Sequence, residues 1–144
     1  MPVERAYIYF FNDNDKPGLH ASAGITRHFQ PKPSFHALAH LQRALGDYRF
    51  QQVVINEPGK LRVQEYRHGQ TPNKWVWAVW SPTGEGKLVQ HTRAKPPGRL
   101  AEVQRMPLGA VESALRAPSA SQNRDGAVEV QVSEDPLYLF FEKP

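Results

Sequence analysis

Two patterns of apolar residues divide the chain near Gly46. Before that point, the run of consecutive β-forming residues Ala6–Phe11 is followed by a polar turn and then by apolar residues at helical spacing. After it, short apolar runs alternate with turn residues such as proline and glycine. The sequence therefore predicts a β–loop–α unit over residues 1–46 and an all-β domain over residues 47–144.

The run Ala6–Phe11 is predicted to form a strand covered on both faces, as in a parallel sheet, because no polar residue interrupts it. The polar turn Asn12–Gly18 ends this strand. Such a strand needs neighbours along both edges, and none is encoded before it in this sequence. We expect it to contact a partner barrel domain or a second copy of the chain through Tyr7, Ile8, Tyr9, Phe10 and Phe11.

A helix is predicted to begin at the Pro31–Ser34 segment and to end at Gly46. Proline is tolerated in a first helical turn, Ser34 can act as the cap, and glycine commonly ends a helix. The apolar stripe of this helix comprises Phe35, Leu38, Leu41 and Leu45. The opposite face, which we expect to face solvent, carries His36, His40 and Arg43.

Short β-rich runs separated by turn signals predict an antiparallel sandwich after Gly46. The predicted strands cover residues 48–55, 61–67, 74–80, 87–92, 99–105, 127–132 and 137–142. Residues 116–126 are rich in serine, alanine, asparagine and glycine and are predicted to form a loop. The fold class is therefore mainly β, a two-sheet antiparallel β-sandwich with one N-terminal α-helix.

Three tryptophans lie in the predicted strand Lys74–Trp80. Alternation places Trp75 and Trp77 on one face and Trp80 on the other, so both faces of this strand are apolar. One face must belong to the sandwich core. The second face is expected to be covered by the helix or the N-terminal strand, to dock on a partner, or to stack on sugar rings.

Composition excludes several classes of protein. The chain has 144 residues, a net charge of +4 and no cysteine, which rules out disulfides and cysteine chemistry. The basic residues are scattered, so we expect no nucleic acid partner. No apolar run is long enough to cross a membrane and no signal peptide is visible, so a soluble protein is expected, with its compartment left open.

Metal and cofactor sites are not predicted. His36 and His40 have the i, i+4 spacing of metal ligands, but Arg43 shares their face and would repel a cation. Asp13 and Asp15 alternate as in a calcium loop, yet the glycine and glutamate that an EF-hand requires are out of register. A plain turn is the favoured interpretation of this segment.

Several motifs along the chain resemble those of clan A glycoside hydrolases, enzymes that carry a (β/α)₈ barrel. The apolar strand, the Asp-rich loop, the Gly24–Ile25 step and the run Lys32–Leu38 resemble the last strand and helix of that barrel. Two later segments, Trp77–Ser81 and Asp135–Tyr138, are similar to strands of the β-sandwich that follows the barrel in many members.

The resemblance implies an immunoglobulin-like sandwich of the type found at the C-terminus of these glycosidases. Phe10 and Phe11 stand where many members have a tryptophan that stacks on the sugar. The two catalytic carboxylates of the family would lie upstream of Met1, so no catalytic residue is assigned in this chain. The expected function is that of a non-catalytic accessory domain with a structural or substrate-framing role.

Two alternatives stay open: a free-standing carbohydrate-binding module and a small self-associating β-protein. In either an accessory domain or a binding module, a polysaccharide is an expected partner. The residues predicted to bind carbohydrate or to dock are Trp75, Trp77, Trp80, Phe11, Asp13 and Asp15.

Asn56–Pro58 resembles the acid/base signature of the same enzymes, in which a glutamate follows a barrel strand. The position of Glu57 favours a different role. Pro58 and Gly59 follow it directly, and this pair is typical of a hairpin turn in which glycine adopts a positive φ. We therefore predict that Glu57 belongs to a hairpin turn and takes no part in catalysis.

Overall fold

The computed structural model describes residues 7–8, 10–14, 16–19, 21–82, 90–107, 109 and 120–143, and for residues 90–93 it describes the backbone alone. This part of the chain is mainly β with one helix, as the alternating pattern predicts. The strands are β1 Thr26–Arg27, β2 Gln30–Pro31, β3 Tyr48–Glu57, β4 Leu61–His68, β5 Lys74–Trp80, β6 Gln90–Ala94, β7 Arg99–Arg105, β8 Ala120–Gln122, β9 Val128–Val132 and β10 Leu137–Glu142. The helix α1 spans Pro33–Leu45.

All the strand pairings that join these elements are antiparallel. The larger sheet has the order β3-β4-β5-β10-β7, the smaller has the order β6-β9-β8, and β1 and β2 form a short hairpin. The C-terminal strand β10 thus lies between β5 and β7. β10 is an interior strand although it is the last in the sequence. Formation of the larger sheet therefore requires pairing between segments that are far apart along the chain.

One apolar cluster unites the two larger sheets. Its buried members come from β4, β5, β9 and β10: Leu61, Val63, Trp75, Trp77, Val79, Val128, Val130, Val132, Leu137, Leu139 and Phe141. The three valines of β9 alternate with polar residues, so one face of the smaller sheet contributes to this cluster. The two antiparallel sheets therefore share a core. The immunoglobulin-like type of sandwich stays a prediction.

Helix α1 covers the opposite face of the larger sheet. A second buried cluster joins Ala44 of the helix with Val76, Ala78 and Tyr138 of the sheet, and Trp80 packs against its edge. This confirms that both faces of β5 are covered and that Trp80 faces away from Trp75 and Trp77. The helix contributes to the cover of the second face through Ala44 and Leu45.

The face through which the helix packs only partly matches the predicted one: Leu45 of the predicted stripe packs against this cluster, but Leu41 does not. Ala44 is buried and the His40 ring lies 5.3 Å from the ring of Tyr138, whereas Leu41 is 39% exposed. A small residue at position 44 lets the helix approach the sheet closely, and the residue one turn earlier, His40, then meets the sheet as well. The expectation that His40 faces solvent is therefore wrong.

Two local predictions also differ from the structure. The described residues of the run Tyr7–Phe11 are not part of a strand, although the adjacent Asn12 forms a single parallel bridge to Thr26. The segment 116–126, predicted as a loop, contains strand β8 among its described residues. Ser34 lies inside α1, and Lys32 at the N-cap makes no side-chain capping bond.

The hairpin between β3 and β4 has the predicted turn. The Lys60 amide donates to the Glu57 carbonyl at 3.0 Å, and Gly59 has a φ of 70°. A positive φ at the third position of a turn, with proline at the second, is the geometry expected for Pro58 and Gly59. The turn therefore forms where it was predicted, but β3 continues to Glu57, beyond its predicted end at residue 55.

Candidate functional site

The candidate site is the N-terminal unit, residues 7–46, and the side chain that organises it is Asp13. This residue is only 6% exposed although it carries a carboxylate. Its Oδ1 accepts hydrogen bonds from the Lys32 ammonium and the Gly24 amide, each at 3.0 Å. Its Oδ2 accepts one from Arg27 Nε, also at 3.0 Å. Both oxygens of Asp13 are thus committed to the fold.

The two cations hold the pKa of Asp13 below its ordinary value of 3.8. The hydrogen bond from Lys32 is the largest cause, and it acts against the desolvation of the carboxylate. The hydrogen bond from Arg27, the charge of Lys32 and the Gly24 amide lower the pKa further. Asp13 is accordingly held as an anion, which makes it a poor proton donor.

Lys32 and Gly24 bring the start of the helix against this loop. The Lys32 ammonium also donates to the carbonyls of Ser22 at 2.9 Å and Gly24 at 2.6 Å, so all three of its protons have acceptors. Gly24 allows the approach because a Cβ there would lie 2.5 Å from the backbone of Asn12 and Asp13. Glycine is therefore required at position 24, because any side chain there would collide with this backbone.

Asn12 fixes the β1–β2 hairpin in the same unit. Its Oδ1 accepts hydrogen bonds from the Thr26 hydroxyl and the Phe29 amide, both at 2.9 Å. The tip residues His28 and Phe29 have φ values of 49° and 59°. Bulky residues rarely adopt a positive φ, so the hairpin holds Phe29 in a strained conformation with its side chain 76% exposed.

Most of the large apolar side chains that are exposed in the described residues belong to this unit. Outside it, the exposed ones are Phe50 and Val53 of strand β3. Inside it they are Tyr7 at 82%, Ile8 at 47%, Phe11 at 60%, Leu19 at 94%, Phe29 at 76% and Leu41 at 39%. A high density of exposed apolar side chains is typical of a surface that contacts another molecule or domain.

The tryptophans predicted to contact sugar lie elsewhere. Trp77 is 3% exposed and packs edge-on against Phe141 in the core between the sheets, and Trp75 is 9% exposed at its rim. Trp80 packs against the cluster under α1. Burial leaves neither Trp75 nor Trp77 a free ring face, so neither can stack on a sugar in this structure.

The predicted site residues therefore fall into two environments. Phe11 and Asp13 lie in the N-terminal unit, where one is exposed and the other is sequestered by cations. The three tryptophans belong to the two clusters that flank the larger sheet. Asp15 and Tyr9 lie outside the described residues. The predicted site residues that the structure describes are not gathered into one pocket.

A buried polar contact that the sequence analysis did not predict lies inside the core. Glu65 is 8% exposed and accepts hydrogen bonds from Trp77 Nε1 at 2.9 Å and from Gln52 Nε2 at 3.0 Å. Alternation places Glu65 on the inward face with Leu61 and Val63, which is the signal that could have revealed it. The contact satisfies the indole proton of a buried tryptophan.

A second ion pair joins the end of β7 to the loop before β10. Arg105 donates to Asp135 Oδ2 at 2.7 Å and to the Ser133 hydroxyl at 3.2 Å. Desolvation opposes ionisation of Asp135, but the hydrogen bonds from Ser133 and Arg105 outweigh it and lower the pKa of this carboxyl. The motif Asp135–Tyr138 therefore begins with a residue that anchors the central strand.

Two searches of the described ranges, for metal-binding groups and for membrane-spanning helices, gave no candidate. No group of three or more histidine, aspartate or glutamate side chains is arranged to hold a metal ion among those residues. The one helix described there is too short and too polar to cross a bilayer.

Comparison with protein-family models, with curated proteins and with solved structures finds no match to this chain.

Proposed function

We propose that this chain is a non-catalytic accessory β-domain that acts beside a glycoside hydrolase-like barrel and contacts it through its N-terminal unit. The observation that carries the proposal is the concentration of exposed apolar side chains within residues 7–41, next to a sheet whose two faces are already covered. A surface of this kind is stabilised when a partner removes it from water.

The strained hairpin tip supports this role. Holding Phe29 at a positive φ costs free energy, and the exposed ring gains no burial within the described residues in return. Such a conformation is favoured when the ring has a partner in the assembled protein. This hairpin directly precedes the Lys32–Leu38 segment, which resembles the start of the last barrel helix in clan A glycoside hydrolases.

The surroundings of Glu57, which resembled a catalytic acid, and of Asp13 favour a non-catalytic role. Glu57 lies at an exposed hairpin turn, and both oxygens of Asp13 are held by Lys32, Arg27 and Gly24. Glycoside hydrolysis uses two opposed carboxyl groups, one of which must exchange protons with the substrate. Neither residue is placed for that exchange.

The first experiment measures hydrolysis of a panel of aryl glycosides by the purified chain and by Glu57→Gln. We expect both to match the buffer blank. Hydrolysis by the wild type that is lost in Glu57→Gln would contradict a non-catalytic role. The same preparation, examined by near-UV circular dichroism, establishes that the protein under assay is folded.

The second experiment identifies what the N-terminal unit contacts in cells of its source. Native protein carrying this chain is purified, sized by sedimentation, and mapped by peptide mass spectrometry. We expect peptides of a glycosidase-like barrel in the same polypeptide or in a stable complex. A species that contains this chain alone, as a monomer or a homodimer, would contradict the proposal and, in the dimer case, favour self-association.

A matched pair of variants tests whether the exposed residues make the contact. The triple variant Ile8→Ser, Phe11→Ser, Phe29→Asn removes apolar surface, and asparagine tolerates the positive φ at position 29. The control, Phe50→Ser with Val53→Ser, removes exposed apolar surface from β3. We expect limited proteolysis to cleave between chain and barrel at least tenfold faster in the triple variant alone.

A further inference from the structure

A polar groove of about 490 Å³ lies at the end of strands β3 and β4, next to the loop before β5. This volume is within the range of small-molecule sites, about 300–1,000 Å³. The groove is lined by Arg49, Gln51, Arg67, His68, Gly69, Gln70 and Pro72. Its lining contains two guanidinium groups and no carboxylate, so it carries a net positive charge.

The two arginines are direct neighbours across the sheet. Arg49 of β3 is paired with Arg67 of β4, and like charges at opposed positions destabilise a sheet. Arg49 donates only to the carbonyls of Gly46 and Tyr48, and Arg67 only to that of Pro72. Within the described part of the chain, neither guanidinium is paired with an acid. An anion between them would relieve their repulsion.

Contacts with neighbouring residues orient the side chains of the groove and leave hydrogen-bond donors available to a ligand. The Arg67 guanidinium lies over the Trp75 ring, 5.8 Å from its centroid, and Lys143 approaches the same ring at 5.3 Å. His68 Nδ1 accepts hydrogen bonds from the backbone amides of Gln70 and Thr71, which leaves Nε2 as the donor nitrogen of this ring. The arrangement combines planar cationic donors with side-chain amides and an imidazole ring.

We propose that this groove binds a carboxylate-bearing sugar unit. Guanidinium groups match the planar geometry of a carboxylate, and the amides of Gln51 and Gln70 are suited to the hydroxyl groups of a sugar ring. The choice of a saccharide over another carboxylate rests on the proposed accessory role. The anion site itself rests on the lining residues and stands without that role.

The test titrates the full chain with trigalacturonate at low ionic strength and follows amide chemical shifts by NMR. We expect saturable shifts centred on Gly69 and Gln70, and weaker binding as salt screens the arginines. Arg49→Gln with Arg67→Gln should weaken binding at least tenfold. The charge-matched control, Arg99→Gln with Arg124→Gln, removes two exposed arginines elsewhere and should leave binding unchanged.

One further variant and three further ligands separate the outcomes. Arg67→Lys keeps the charge and loses the planar fork, so we expect intermediate affinity; this variant also guards against misfolding of the double variant. Neutral cellohexaose is expected not to bind. Equal affinity for inorganic phosphate, tighter binding of a short single-stranded DNA, or equal losses in the two double variants would overturn the assignment. Hydrolysis assays and partner mapping remain independent, so either proposal can fail alone.

Discussion

A buried carboxyl group has different surroundings in the two regions of the molecule, the N-terminal unit and the β-domain that follows it. In the N-terminal unit, the Asp13 carboxylate accepts hydrogen bonds from two cations and a backbone amide. In the β-domain, Glu65 of β4 lies on the same strand as the core residues Leu61 and Val63 and accepts hydrogen bonds from two neutral donors, Trp77 and Gln52. Hydrophobic burial thus stabilises one region, and charge-assisted hydrogen bonds organise the other.

This difference indicates which region contributes most of the free energy of folding. The core between the sheets contains residues that are completely buried, whereas residues 7–41 retain the exposed apolar side chains described above. A region held by polar contacts can open locally without unfolding the rest of the protein. We therefore expect the sandwich to unfold as one cooperative unit and the N-terminal unit to loosen first.

The largest expected effect is in the shared core. Phe141 is 0% exposed and packs edge-on against Trp77. Phe141→Ala should lower the free energy of unfolding by about 3–5 kcal/mol, measured by urea denaturation. The matched change in the other region, Phe11→Ala, should cost less than about 0.5 kcal/mol because that ring is exposed. Similar losses in the two variants would erase the contrast between the regions.

The next effect concerns the polar contact inside the core. Glu65→Leu leaves the buried indole proton of Trp77 without its acceptor and should destabilise the protein by about 1–3 kcal/mol. Glu65→Gln keeps an acceptor oxygen at the same place and should cost distinctly less. Thermal unfolding followed by tryptophan fluorescence measures both. A Leu variant as stable as the wild type would show that the contact is dispensable.

A smaller effect, a gain in the free energy of unfolding instead of a loss, is expected for a substitution in helix α1. His40 Nε2 is buried and has no hydrogen-bond partner among the described residues. Burial and the charge of Arg43 lower the pKa of His40, so the neutral form is favoured in the fold. His40→Leu should stabilise the protein by about 1 kcal/mol, as measured by urea denaturation at pH 7. A destabilised variant would show that the contact with Tyr138 outweighs the unpaired nitrogen.

The smallest effect on global stability is expected for Asp13→Asn, which should loosen residues 12–32 and leave the main transition nearly unchanged. Hydrogen exchange at the Gly24 amide reports the change directly, and Asp47→Asn serves as the exposed control. Global unfolding in Asp13→Asn would mean that the two regions are coupled.

Acidification is expected to destabilise the wild-type protein. The pKa of Asp13 lies below 3.8 in the folded protein, so its contribution is complete above about pH 4. That contribution is lost as the pH falls through the folded-state pKa. Asp135 behaves in the same sense because its pKa is also lowered. The Gly24 amide should therefore lose protection on acidification below about pH 4 in the wild type.

The strands could be predicted because alternation reflects burial directly. β5, β7 and β10 have the predicted bounds, since each contains β-forming apolar residues bounded by charged residues or turn signals. Strand β8 was missed because Ala120–Gln122 has no apolar alternation and is held by pairing with β9. Its sequence alone contains no signal of that neighbour.

The helix face and the candidate site were harder to predict, for a physical reason. Residue type assigned His40 to solvent, but the close approach allowed by Ala44 decided which face meets the sheet. Likewise, the sequence could indicate that Asp13 ends an apolar run, but not that Lys32 and Arg27 fold back upon it. Side-chain contacts between distant residues depend on the fold, which local patterns describe only in part.

The contact between Gly24 and the Asn12–Asp13 backbone has a consequence for chain length. Because it fastens both ends of the intervening segment, the exposed residues 16–19 can be lengthened without moving either anchor. A foreign peptide inserted there would be presented as a closed loop beside the strained hairpin. The position is thus a natural place for related proteins to differ in size, and a practical one for attaching a label.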